Sequence, residues 1–143
     1  MYHTINQHDL DFFTALLQDR CKSDIDTREA YNHDHTEAFH FTPSVVLLPQ
    51  NTQEVSAILA YCNSNNIPVT PAGARTGLSG GCLPIHGGVL LSCEKHNRFI
   101  EIDEKNAQVI TEPAVITEAL QNAVKEKGLF FPEVNKKAMN FLG

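Results

Sequence analysis

No apolar run in this chain approaches the ~18–20 residues needed to cross a bilayer, so nothing in its 143 residues reads as a membrane span. No Cys-x-x-Cys pair occurs either: Cys21, Cys62, Cys82 and Cys93 stand far apart. That spacing argues against a zinc knuckle or a disulfide framework. It predicts free thiols in a reducing, cytoplasmic setting. Basic residues are the minority, 11 against 17 acids, for a formal charge of −6. This balance argues against nucleic acid as the main partner and offers no attraction to an anionic membrane surface. Met1 to Arg20 carries acids and lacks a basic start with a long apolar core, which is not the make-up of a signal peptide. Internal repeats and low-complexity stretches are absent.

What is present is an ordinary globular composition, 42% apolar and 20% charged with 8 Phe. The length suits one domain, which at this size hides roughly 70% of the surface of its unfolded chain. Leu10, Phe13, Leu16 and Leu17 fall at helical spacing, predicting an amphipathic helix over Asp9 to Arg20. Lys22 to Thr42 is polar and aperiodic and reads as an extended lead-in. Val45 to Leu48, closed by Pro49, reads as a buried strand.

Asn51 with Glu54 three residues on has the form of a capping box. The helix it opens places Val55, Ile58, Leu59 and Cys62 on one face, and Asn63 to Asn66 stops it. Ile67 to Thr70 follows as a second strand despite Pro68. Strand, helix and strand make a βαβ unit with parallel strands. Gly88 to Ser92 reads as a third strand, and Phe99 to Asp103 with Ala107 to Glu112 as a hairpin. Ile116 to Lys127 reads as a helix with Ile116, Leu120, Ala123 and Val124 inward and Gly128 as its stop. Leu129 to Phe131 is expected to begin one more strand. The fold class is α/β: a small parallel sheet with helices, plus the start of a second, antiparallel sheet.

The segment that carries chemistry is Pro71-Ala72-Gly73-Ala74-Arg75-Thr76-Gly77-Leu78-Ser79-Gly80-Gly81, directly after the second strand. Its glycines allow positive φ and close approach of a ligand to the backbone. Successive N–H groups in such a loop converge into an anion nest, and Thr76 and Ser79 add hydroxyl donors. No Asp or Glu lies between Glu54 and Glu94. A diphosphate needs this combination of many short donors and few acids, although a Gly-rich turn is also often only a turn. The loop is neither G-x-G-x-x-G nor a P-loop ending in G-K-[ST], so Rossmann and nucleoside-triphosphatase readings fail on the residues themselves.

The words Tyr31-Asn-His-Asp-His-Thr-Glu37, Pro49-Gln-Asn-Thr-Gln-Glu-Val55, Ile67-Pro-Val-Thr-Pro-Ala-Gly73 and Thr76-Gly-Leu-Ser-Gly-Gly81 stand in this order, followed by Gly87-Gly-Val-Leu-Leu-Ser92, Glu112-Pro113 and Glu126-Lys-Gly-Leu-Phe-Phe-Pro132. Together they resemble the PCMH-type FAD-binding domain of FAD-linked 2-hydroxy acid oxidoreductases. These are the D-lactate dehydrogenase and glycolate oxidase large-subunit group of the vanillyl-alcohol-oxidase superfamily. The resemblance implies that Pro71 to Gly81 wraps the FAD pyrophosphate, and that Glu112 and Pro113 form a turn lying against the flavin. There the family commonly has Gly where this chain has Ala114; a strand-ending Pro is the plainer reading of the same residues. Arg75 stands where the family often carries Gly, and its charge either meets a phosphate or faces solvent. No His lies between Pro71 and Gly81, so nothing supports the covalent flavin linkage some members use.

The family continues past Phe-Phe-Pro with a second Gly-rich segment and a substrate-binding cap. This chain instead reads Glu133-Val-Asn-Lys-Lys-Ala-Met-Asn-Phe-Leu-Gly143. The expected organisation is therefore a helix and lead-in over 1–42, an incomplete FAD-binding domain over 43–132, and a divergent tail over 133–143.

The function implied by the resemblance is the FAD-binding portion of an enzyme that passes a hydride from a small 2-hydroxy acid, D-lactate or glycolate, to flavin N5. The alternative is a non-catalytic flavin-binding or scaffolding module. Neither catalytic nor metal-ligating residues are expected in the chain. His33-Asp34-His35 is read as polar alternation rather than a metal site, His86 and His96 as surface residues, and Cys82 as a small packed side chain. Surface left bare by truncation is expected to drive self-association.

Overall fold

Val45, Val46 and Leu47 have no exposed surface, and Val89 to Ser92 are buried throughout. Strands buried on both faces are those of a parallel sheet covered on each side, and these two pair in parallel. In the computed structural model, which describes residues 2–36 and 38–132, they are β2 (Val45–Leu47) and β4 (Val89–Ser92). Ahead of them come α1 (Gln7–Leu17), the short β1 (Cys21–Lys22) and α2 (Ile25–Ala30). Between them lie α3 (Thr52–Ser64) and β3 (Val69–Ala72). The hairpin β5 (Phe99–Asp103) and β6 (Gln108–Thr111) follows, then α4 (Thr117–Glu126).

The sheet order is β1-β2-β4-β3. The strands of the βαβ unit therefore lie in one sheet as expected, but β4 is inserted between them, parallel to both. β1 pairs antiparallel with β2. Insertion of β4 requires a close approach at Gly88: its φ is +69°, and a Cβ there would overlap the carbonyl oxygen and ring of Pro68. The backbone bond Val89 N–H to Pro68 O, 2.9 Å, is made across this contact.

Side-chain alternation divides the sheet into two faces. Val45, Leu47, Val89 and Leu91 join Phe13 and Leu17 of α1 and Ile58 and Cys62 of α3 in the main core. Val46, Leu90 and Ala72 form a second cluster against which Tyr31 and Cys82 pack. The Gly-rich loop leaves β3 at Ala72, so this second cluster lies at its root.

Local chemistry explains the helix ends. Asn6 caps α1 in a full capping box with Asp9. Asn51 Oδ1 accepts from Glu54 N–H at 2.9 Å, but the Glu54 carboxylate turns to Gln50 N–H and to Arg20. Arg20 grips it with two bonds of 2.6 and 2.8 Å, tying the end of the first helical segment to the start of α3.

Several expectations are corrected. The lead-in is not wholly extended: Asp24 caps α2 through Thr27 N–H, 2.8 Å, and a helix of 6 residues is too short to show a period. Leu59, at 45% exposure, is outside the apolar face. Ile116 is the N-cap of α4 and 70% exposed. The second strand runs Val69–Ala72 rather than from Ile67, because Ile67 N–H closes α3 on Cys62 O and Pro68 has no N–H to give. Pro71 is tolerated because β3 is an edge strand. No strand forms over 129–131; no sheet edge among the described residues pairs with it. The divergent tail, 133–143, lies outside the described residues.

Candidate functional site

The loop after β3 lines a cavity of about 340 Å³. Gly73, Gly77 and Gly81 contribute backbone to it, and Pro71, Arg75, Leu78 and Ser79 complete the loop's share. Asp34 and Cys82 close the remaining wall. Where a Cβ would stand on Gly77 or Gly81 nothing lies within 4 Å, so a ligand can reach the backbone at both points. Ala72 is instead packed into the second core cluster. Thr76, Ala74 and Gly80 lie within the loop but are not among the lining residues.

Two loop residues hold positive φ, Arg75 at 57° and Gly80 at 73°. A left-handed conformation is natural for Gly and unusual for Arg, and the Arg75 side chain is tied down on the strap that precedes β2. Its guanidinium lies 4.1 Å from the centre of the Tyr31 ring, and Nη1 donates to Ala30 O. On the sequence, Arg75 either met a phosphate or faced solvent; its first partner here is an aromatic ring. The Tyr31 hydroxyl donates to Glu94 at 2.7 Å. Burial first, then the Glu94 carboxylate, pushes that phenol up to about 12.

The acid-free character of the loop does not extend to its surroundings. Asp34, only 2% exposed, reaches in from 46 residues upstream and accepts from Gly80 N–H at 3.1 Å. It also accepts from Thr36 N–H at 2.9 Å. Burial works against its ionisation, but the bonds from Thr36 and Gly80 prevail and lower its pKa. No sequence spacing pointed to this residue, because its link to Gly80 exists only once the strap folds over the sheet.

Glu112 and Pro113 stand at the end of β6, not among the residues lining the cavity. The Glu112 carboxylate is taken by Arg98, through the backbone N–H at 2.8 Å and the guanidinium at 2.6 and 3.0 Å. These bonds hold it at about 2. His96 is buried, not at the surface, with Nδ1 at 4.0 Å from the same carboxylate. Cys82 is half-buried against the second cluster, and burial pushes its thiol up, as a packed side chain requires.

Residues 43–138 match the family described as FAD binding domain. The chain belongs to this family of FAD-binding domains. Relatives by sequence include the glycolate oxidase subunit GlcD of Bacillus subtilis, 40% identical over 73% of this chain and 22% of that protein. The D-lactate dehydrogenase of Anaerostipes hadrus is 33% identical over 92% and 28%. Among solved structures, p-cresol methylhydroxylase aligns with a TM-score of 0.77 at 22% identity, over 97% of this chain and 29% of that one. At that identity the likeness speaks for the fold alone. The chain thus spans about a quarter of the length of the relatives it matches.

The cavity fits the family's cofactor. FAD presents a diphosphate, and the loop of this FAD-binding domain presents glycine backbone with open space at Gly77 and Gly81 and a cationic group at Arg75. Among the described residues Asp34 is the one acid in the cavity wall, and its charge is engaged by two N–H groups. No helix among the described residues is long and apolar enough to cross a membrane.

Proposed function

We propose that the Pro71–Gly81 loop holds the diphosphate of FAD non-covalently, as the binding portion of an oxidoreductase acting on small 2-hydroxy acids such as D-lactate or glycolate. The observation that carries this reading is the glycine-backbone cavity, open where Gly77 and Gly81 lack a Cβ. Bound FAD supplies a two-electron acceptor for oxidation of a CH–OH carbon. The residues of this chain bind and orient the cofactor, chiefly Gly73, Thr76, Gly77, Ser79, Gly80 and Gly81 with Arg75. Glu112 and Pro113 support the turn beside it. The substrate class rests on the relatives, among them a D-2-hydroxyglutarate dehydrogenase of Stutzerimonas stutzeri, 33% identical over 83% of this chain and 26% of that one.

In this reading 43–132 is the FAD-binding unit, the setting is cytoplasmic, and the catalytic groups belong to segments outside these residues. Positioning of substrate against flavin is where much of the rate arises, so the chain by itself turns over no 2-hydroxy acid. Exposed Ile100, Ile110 and Phe130, at 63, 51 and 82%, offer apolar surface for self-association.

The test is to mix the purified chain with FAD, follow flavin absorbance and fluorescence, and assay dye reduction with D-lactate and glycolate. Saturable FAD binding without turnover is expected, with all flavin released by acid precipitation. Failure to bind FAD at any concentration refutes the site; turnover by the chain alone refutes the division of roles.

A further inference from the structure

We propose that Tyr31 to Thr36 is a template that shapes the diphosphate loop, with Asp34 as its positioning residue. The inference rests on the reading of Pro71–Gly81 as the FAD-diphosphate site and assigns that site a part from a different stretch of the chain. The strap meets the loop at three places. The Tyr31 ring holds Arg75, helped by Ala30 O at the end of α2 just ahead of it. His35 N–H donates to Gly77 O at 3.2 Å. Asp34 accepts the N–H of Gly80 at 3.1 Å. These are the two positive-φ residues of the loop, 75 and 80, and Gly77, whose missing Cβ leaves open space.

Each contact suits an anion site. The bond from His35 draws the Gly77 carbonyl oxygen, which would repel a phosphate, to the strap. The Arg75 guanidinium is anchored on Tyr31 and Ala30 O while its backbone holds a left-handed conformation unusual for Arg. Asp34 is the least expected of the three. A buried carboxylate beside an anion site repels the ligand, and burying it at all is unfavourable unless it is hydrogen-bonded. It is so bonded, by Thr36 and Gly80 N–H groups, and it is 2% exposed. A repelling charge kept at this place is explained by what it holds, the Gly80 peptide at φ +73°.

The two roles open to Asp34 have opposite signs. As a mere negative charge, its neutralisation would tighten FAD. As a positioning residue, its neutralisation would loosen FAD, because an Asn has one acceptor oxygen for the Thr36 and Gly80 N–H groups and its Nδ2 sets donor against donor at one of them. The experiment compares wild type with Asp34→Asn in the full chain by FAD titration, ADP competition, thermal melting and hydrogen exchange at the Gly80 amide. The expected result is FAD and ADP affinities weakened at least tenfold, faster exchange at Gly80, and a melting temperature within a few degrees of wild type. FAD bound equally or more tightly by Asp34→Asn overturns the proposal.

Tyr31→Leu removes the ring under Arg75 without changing charge, and covers the case in which Asp34→Asn does not fold. Weakening of FAD by several-fold is expected; unchanged affinity overturns the template. If wild type binds neither FAD nor ADP, the functional reading fails, whereas the template is still judged by Gly80 exchange in the variants. Unaltered exchange there overturns it.

Discussion

Arg98 and Glu112 close the root of the hairpin on each other: the guanidinium meets Oε1 at 2.6 and 3.0 Å while the Arg98 backbone N–H meets Oε2 at 2.8 Å. The Glu112 N–H returns to Arg98 O at 2.9 Å, so side chain and backbone lock the same two residues. Arg98 first, through its side chain and then its backbone, lowers Glu112 from 4.5 to about 2. A carboxyl depressed in the folded state contributes stability present above its unfolded value and lost as pH falls through the folded one. The contribution is therefore full above about pH 5 and disappears towards pH 2. Glu112→Gln should lower the melting temperature at pH 7, and the gap from wild type should close as both are melted at successively lower pH down to 2.

Gly80→Asp should abolish FAD retention. The position holds φ +73°, where a side chain costs roughly 1–2 kcal/mol, and the new carboxylate would stand beside that of Asp34. Flavin absorbance after gel filtration with excess FAD checks this. Retention equal to wild type would remove the loop from the site.

Asp9, 2% exposed, accepts from Tyr61 at 2.8 Å and from Asn6 N–H at 2.9 Å, and pairs with His3 at 2.8 Å. Asp9→Ala removes the capping box and leaves the hydroxyl of the half-buried Tyr61 without that acceptor. Hydrogen bonds to a charged group are worth about 1.5–3 kcal/mol, so a loss of roughly 3 kcal/mol is expected in urea unfolding. Tyr61→Phe, which removes one of these bonds, should lose less.

Gly88→Ala should be more damaging than its single methyl suggests. The added Cβ would overlap Pro68 and sit at φ +69°, so β3 and β4 could pair only after a backbone shift. Destabilisation above about 3 kcal/mol is expected, as for other severe steric changes, read by thermal melting. The same change at Gly77, where nothing lies within 4 Å of the new Cβ, should leave stability unchanged and weaken FAD binding alone.

The sequence by itself determined the elements that local pattern encodes. Val45–Leu47 and Val89–Ser92 are apolar runs too short for helices. The α3 cap is a side-chain oxygen beside free N–H groups, and the hairpin is an alternation around a turn in which Asp103 accepts from Asn106. Glycine spacing and the family words singled out Pro71–Gly81 as the loop proposed to hold the cofactor, since backbone approach to a diphosphate favours glycine.

Only the tertiary structure decided what depends on distant segments meeting. It put β4 between β2 and β3, because the approach of Gly88 to Pro68 is a contact between strands and not a property of either. It buried His96 beside Glu112, and it laid the strap across the loop. Periodicity reports which way a side chain faces along its own element. It carries no information on which remote group will meet it, and so Asp34, 46 residues from Gly80, was legible only in the fold.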